Sequence, residues 1–279
     1  MFDYLLEKIQ TAKFNHDPFR YIYITDWLNH DHFTAITQDP QIALLPQGDL
    51  DSLLVELADK HYTPEPFPGC TTNIDHYRQW YHGDRTQRFE SDLLEGFGIA
   101  FRLREYRNQL IQDLIQFLNS HKFHAAIKAK FERTGNTRVE TAIQKYLSGY
   151  EISPHPDIRK KCLTYMVNIN TESVSEAADI HTHLLEFDAD HQHIYQYWQD
   201  HADHDRCWVP WSWCESHWQH RANNSIVMFA PDDRSLHAVK LEYDHLPWQR
   251  TQIYGNLWYR KGSVPVITVR GDWRQLPDA

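Results

Sequence analysis

The sequence predicts an α+β fold: a helix-rich N-terminal half followed by an antiparallel β-core. Three observations predict it. Apolar residues in the first half recur at helical spacing, and from Arg138 onward short runs of β-branched and aromatic residues alternate with turn residues. No Pro/Gly/Ser-rich linker separates the two textures. Residues 1–279 therefore read as a single domain, helix-rich over 1–135 and β-rich over 136–270.

Taken in order, residues 2–14 carry Phe2, Leu5, Leu6 and Ile9 at helical spacing. Residues 18–24 form a short β-prone run, followed by Asp26-Trp27-Leu28 and a second helix. From about 89 to 133 a long helical period places Leu103, Leu110, Leu114 and Leu118 on one face, until Gly135-Asn136 breaks it. Strands are then expected at 139–147, 163–170, 225–230, 236–241, 252–259 and 264–269, each rich in Val, Ile, Thr or aromatic residues. Between the second and third of these lies a His- and Trp-rich stretch, about 172–222. It reads as a solvated, lid-like insert with aromatic anchors.

Composition narrows the function. A formal net charge of -10, with no basic run longer than Arg159-Lys160-Lys161, argues against nucleic acid as a partner. No stretch approaches the roughly 20 apolar residues of a membrane span. The start has no basic segment followed by an apolar run, and Cys70, Cys162, Cys207 and Cys214 are scattered. A reducing, cytoplasmic setting is expected. Ten Trp and 15 Tyr suit a small-molecule pocket. Nothing in the chain reports an oligomeric state.

The segment that carries chemistry is His155-Pro-Asp157. In an extended chain, residues two apart point to the same side, so an imidazole and a carboxylate face one point. His237, at the head of a later strand, can supply a second imidazole. Two His and one carboxylate leave open coordination positions, the facial triad of non-haem iron(II) enzymes. The dipeptide spacing alone is common in a chain with 19 His, and His201-Ala-Asp203 repeats it. That second match lies in a polar run with no strand around it. His245 competes with His237, but Asp244-His245-Leu246-Pro247 reads as a turn. His181-Thr-His183, His191-Gln-His193 and Cys207 with Cys214 lack the spacing of a zinc knuckle.

Around the triad the pattern is more specific. Tyr146, Gly149, Pro154, His155, Asp157, Thr164 and Asn170 occur in the order found in the prolyl-4-hydroxylase-like branch of the 2-oxoglutarate/iron(II) dioxygenase superfamily. The run 224–231, then His237, then Arg250, also resembles that family. The likeness spans roughly 17–260. It implies a double-stranded β-helix (jelly-roll) core with an N-terminal helical layer. It implies Fe(II), 2-oxoglutarate as co-substrate and O2, with ascorbate as a supporting reductant. It also implies His155, Asp157 and His237 as metal ligands, Arg250 as anchor of the far carboxylate, and Thr164 and Tyr146 in the co-substrate pocket. Trp208, Trp211 and Trp213 are the expected substrate-facing part of the insert; packing on the helical layer is their alternative. The expected activity is hydroxylation, or a related oxidation, of a small-molecule metabolite. A peptidyl hydroxylase and a non-enzymatic jelly-roll metal or sugar binder are the rival readings.

Overall fold

The computed structural model describes residues 1–85 and 95–262. In chain order the elements are α1 (Tyr4–Thr11), β1 (Phe14–Asn15), β2 (Tyr21–Ile24), α2 (His30–Thr37), α3 (Leu50–Asp59), β3 (Tyr62–Pro64), α4 (Ile74–His82), β4 (Gly96–Phe97) and β5 (Ala100–Leu103). They continue with α5 (Gln109–Leu118), α6 (His121–Lys130), β6 (Thr137–Tyr146), β7 (Glu151–His155), β8 (Lys161–Asn168), β9 (Thr182–Phe187), α7 (His193–Asp200), β10 (Cys214–His220), β11 (Ser225–Phe229), β12 (His237–Lys240) and β13 (Arg250–Tyr259). Among the described residues no helix is long and apolar enough to cross a membrane.

The strands form two antiparallel sheets. The larger runs β1-β2-β11-β8-β13-β6-β5-β3, the smaller β10-β9-β12-β7-β4. From β6 to β13 successive strands pass between the sheets, β9 and β10 alone being consecutive neighbours in one.

Alternation along the larger sheet explains its two faces. Ile143, Leu163, Tyr165, Val167, Ile226, Met228, Ile253 and Leu257 belong to a buried cluster with Leu5, Leu53, Leu114 and Phe123 of the helices. Their odd-even partners on the same strands, Met166, Val227 and Phe229, pack instead with Leu184 of the smaller sheet. The sheet thus packs helices on one face and the second sheet on the other. The helices start where short polar side chains satisfy first-turn N–H groups: Asn29, Asp49, Asn73, Asn108 and Ser120 each accept from the backbone two or three residues on.

Two expectations need correction. The long helical period over 89–133 is not one element. Leu103 ends strand β5, and only Leu110, Leu114 and Leu118 share a helix, α5. Gly98 adopts φ +75 between β4 and β5, where a Cβ would meet the backbone of Gly149, and Ser120 starts a new helix. Residues 86–94 fall outside the described residues. The stretch 172–222 is not a solvated loop throughout: β9 pairs with β12, and β10 pairs with β9. Leu184, Leu185 and Phe187 are buried there. β10 reads CESHWQH because it is an edge strand, held by backbone bonds and carrying polar side chains. The strand expected at 264–269 lies outside the described residues.

Candidate metal centre and its cavity

Sheet register brings the two imidazoles together. β7 ends on His155, β12 begins on His237, and the two residues are direct cross-strand partners. Their rings lie 4.4 Å apart, centroid to centroid. Each ring is fixed the same way. His155 Nδ1 lies 2.7 Å from the Ser153 carbonyl, and His237 Nδ1 lies 3.0 Å from the Ser235 carbonyl. A carbonyl only accepts, so both Nδ1 atoms carry the proton and both Nε2 lone pairs are free. Burial pushes both imidazoles below their ordinary pKa, so both are neutral at pH 7.

Asp157 follows β7 and faces the same point. His155 Nε2 is 3.9 Å from Asp157 Oδ1, and His237 Nε2 is 3.9 Å from Asp157 Oδ2. Both distances are too long for a hydrogen bond. All three donor atoms lie within 4.8 Å of one another. Burial works against the carboxylate, but the Lys161 charge and its hydrogen bond outweigh it and hold Asp157 well below the usual range. Lys161 Nζ donates to Oδ1 at 2.5 Å, and Thr164 Oγ1 donates to Oδ2 at 2.5 Å. Burial also opposes the Lys161 charge, yet Asp157 and Tyr254 raise its pKa above the ordinary value. The Asp157 backbone carbonyl accepts from Arg206, which also pairs with Asp233. Two neutral imidazoles and an ionised carboxylate, each presenting a proton-free atom to one point, suit a divalent first-row metal ion.

The triad opens into a cavity of about 320 Å³ between the sheets. Arg250 heads β13, opposite Tyr146 in register, and is 2% exposed. Its guanidinium lies 4.8 Å from the Tyr146 ring centroid, and Nη2 donates to Thr182 Oγ1 at 3.0 Å. Burial lowers its pKa, offset by the hydroxyls of Tyr146, Tyr150 and Tyr243. Among the described residues no carboxylate pairs with it.

The other expected residues divide. Tyr146 lines the cavity, and so does Trp208, whose ring is 5.9 Å from that of His155. Thr164 does not. It is buried behind Asp157, and the hydroxyl beside Arg250 belongs to Thr182 instead. Trp211 donates to Glu151 Oε1 at 2.7 Å, and Trp213 stacks on His191 at 4.5 Å, so neither is among the described residues lining the cavity. Sequence reasoning missed Lys161, Thr182, Gln252, Tyr254, Asn256 and Trp258. Four of these were within reach: counting in twos along β13 from Arg250 gives 252, 254, 256 and 258, all of which line the cavity.

No protein-family profile and no curated protein sequence matches this chain. By fold it is similar to a Pseudomonas putida prolyl-4-hydroxylase, with 10% identity over 93% of this chain and 100% of that one, TM-score 0.43. It is also similar to a Trichoplax adhaerens prolyl hydroxylase in complex with a hypoxia inducible factor oxygen degradation domain peptide, with 12% identity over 92% and 88% of the chains, TM-score 0.44. A third is the epimerase SnoN in complex with Fe3+, alpha-ketoglutarate and nogalamycin RO, with 12% identity over 97% and 96%, TM-score 0.39. At such identities no residue role passes from these proteins to this chain.

Proposed function

We propose that this chain is a mononuclear iron(II)- and 2-oxoglutarate-dependent oxygenase that hydroxylates, or oxidises in a related way, a small molecule. One observation carries the reading: a single cavity holds the buried His155–Asp157–His237 donor set and a buried arginine, Arg250, with no acidic partner among the described residues. A desolvated cation without a counter-charge destabilises a fold unless a ligand completes it. A dicarboxylate would do so here. The passage of β6 to β13 between two antiparallel sheets supports a jelly-roll (double-stranded β-helix) reading of the core.

Bound by His155, Asp157 and His237, ferrous iron would supply dioxygen activation coupled to oxidative decarboxylation of 2-oxoglutarate to succinate and carbon dioxide. The chain's own residues do the rest. Arg250 offers parallel N–H donors to the far carboxylate of the keto acid, and Thr182 holds the guanidinium in place. Tyr146 walls the cavity beside Arg250, and Trp208 walls it beside His155. Asp157 fills the position that a halide would need, which favours hydroxylation over halogenation. The cavity is at the small end of the range for small-molecule pockets, which favours a metabolite over an extended peptide. A reducing, cytoplasmic compartment suits ferrous iron, and the four cysteines are unpaired.

The test is succinate formation by purified protein given Fe(II), ascorbate and 2-oxoglutarate. Asp157→Ala should abolish it. Arg250→Met should raise the KM for 2-oxoglutarate by about tenfold or more, since truncating a buried charge contact loses about 1.4 kcal/mol or more. Equal succinate from Asp157→Ala would overturn the reading.

A further inference from the structure

We propose that the substrate is a small monocarboxylate on an apolar or aromatic body, and that Lys161 is the residue that receives its carboxylate. The inference rests on the function proposed above and adds the substrate's charge.

It starts from the charges that line the cavity. Among the described lining residues the acids are Glu65, Glu140 and Asp157, and the cations are Lys161 and Arg250. Glu65 and Glu140 are already answered from behind. Arg102 Nη1 lies 3.0 Å from Glu65 and 2.8 Å from Glu140, and Arg104 Nη2 lies 2.6 Å from Glu65. The second Glu140 oxygen accepts from Trp258 Nε1 at 2.9 Å. Arg250 is left for the keto acid. That leaves Lys161 with Asp157 as its counter-charge, at 2.5 Å.

A divalent metal ion bound at Asp157 competes for that same carboxylate. Set against a metal of charge two and a keto acid with two carboxylates, the cavity keeps one positive charge in excess, and that charge is on Lys161. In a desolvated site an uncompensated ammonium is unfavourable, and a monoanionic ligand removes the penalty. An amide or ester of the same shape does not.

The geometry around the ammonium agrees. Among the described residues Lys161 Nζ hydrogen-bonds to Asp157 Oδ1 and, at 3.0 Å, to Tyr254 Oη. An ammonium has three N–H donors, so one remains for a ligand. The stem is fixed between rings, with Nζ 5.6 Å from the Tyr254 centroid and 5.3 Å from that of Trp258. Phe67, Ile152, Met166 and Trp208 add apolar wall to the same cavity. An acid bound at Lys161 would therefore lay a hydrophobic body along these side chains, next to the metal ligand that Lys161 itself contacts.

The experiment uses the full chain loaded with Mn(II) and saturated with 2-oxoglutarate. Both are first titrated in separately, and binding is followed by tryptophan fluorescence. Hexanoate, 3-phenylpropanoate and indole-3-acetate are then each titrated beside their primary amides. At least one carboxylate should bind about tenfold or more tightly than its amide. Lys161→Met should erase the difference and Lys161→Arg retain most of it, each variant being compared at Mn(II) and 2-oxoglutarate concentrations that saturate that variant. No preference in the wild type, or one that survives Lys161→Met, overturns the proposal, and the wild-type comparison decides even where a variant does not fold. Loss of 2-oxoglutarate affinity in Lys161→Met, with little change in Arg250→Met, overturns it too, because Lys161 would then be the co-substrate anchor. A protein that binds neither Mn(II) nor 2-oxoglutarate fails at the earlier titrations, and the proposed function falls with it.

Discussion

Asp157 joins three hydrogen-bond systems: Lys161 on one oxygen, Thr164 on the other, and Arg206 on its backbone carbonyl. Its side chain has little freedom, so the direction it presents to His155 and His237 is set by neighbours outside the triad. Thr164 gives the sharpest test. It is buried, and its hydroxyl lies 2.5 Å from Asp157 Oδ2 and 3.2 Å from Asn256 Oδ1, so its one hydrogen goes to the nearer, charged oxygen. Thr164→Val keeps the shape and removes the donor. Metal affinity should fall by about 10- to 100-fold, the usual penalty for losing an outer-shell partner. Stability should fall by about 1–3 kcal/mol because a buried acceptor loses its donor. Chelator competition and urea unfolding measure the two. Unchanged metal affinity would show that Lys161 and Arg206 suffice to aim the carboxylate. The sequence pointed to Thr164 as a pocket residue but not to this role. Seven residues of separation from Asp157 say nothing about β8 passing directly beneath it.

At the scale of elements, β13 shows why some strands were readable and others were not. Its outer face carries Ile253 and Leu257 into the helical core, and its inner face carries Arg250, Gln252, Tyr254, Asn256 and Trp258 into the cavity. Such a strand announces itself by its β-branched and aromatic residues, as do β6, β8 and β11. β9 and β10 hide because their exposed faces are filled with His, Glu and Trp, and β5 hides because its leucine fits a helical count. The triad was readable because a two-residue step on an extended chain is local, whereas its closure on His237 needed only strand pairing. The lysine and Thr182 were not, because each reaches the cavity from a different sheet. Gly255 tests the packing of β13. It lies opposite Tyr165 in register, and an added Cβ would fall inside contact distance of that ring. The ring cannot swing away easily: its hydroxyl is 2.5 Å from Thr141 Oγ1, and it meets Phe123 edge-on at 5.5 Å. Gly255→Ala should therefore cost about 1–3 kcal/mol in urea unfolding. A loss below about 0.5 kcal/mol, the range of an inconsequential surface change, would mean that the ring shifts freely.

Across the whole molecule, the fold buries several ionisable side chains in their uncharged form, and this sets how its stability follows pH. Burial lowers His220 to about 3, with Arg250 adding to the effect. It lowers His181 to about 4, again helped by Arg250, and His245 to about 4. All three lie below the value of about 6.5 that an imidazole has in the unfolded chain. Between those values the unfolded chain holds protons that the folded one refuses, so stability falls as pH drops from about 6.5 toward 4. Lys145 extends the trend upward. Burial lowers its ammonium to about 7, so between about 7 and the ordinary lysine value stability rises with pH. The groups act in the same direction, so the chelator-treated protein should have a higher urea midpoint at about pH 8 than at about pH 5.5. His220 is the clearest single contributor, being fully buried with Nε2 2.8 Å from Ser225 Oγ. His220→Gln should flatten the acid limb by up to about 1.4 kcal/mol per pH unit, because one fewer proton separates the two states. A variant whose acid limb stays as steep as the wild type's would show that His220 takes up its proton without unfolding.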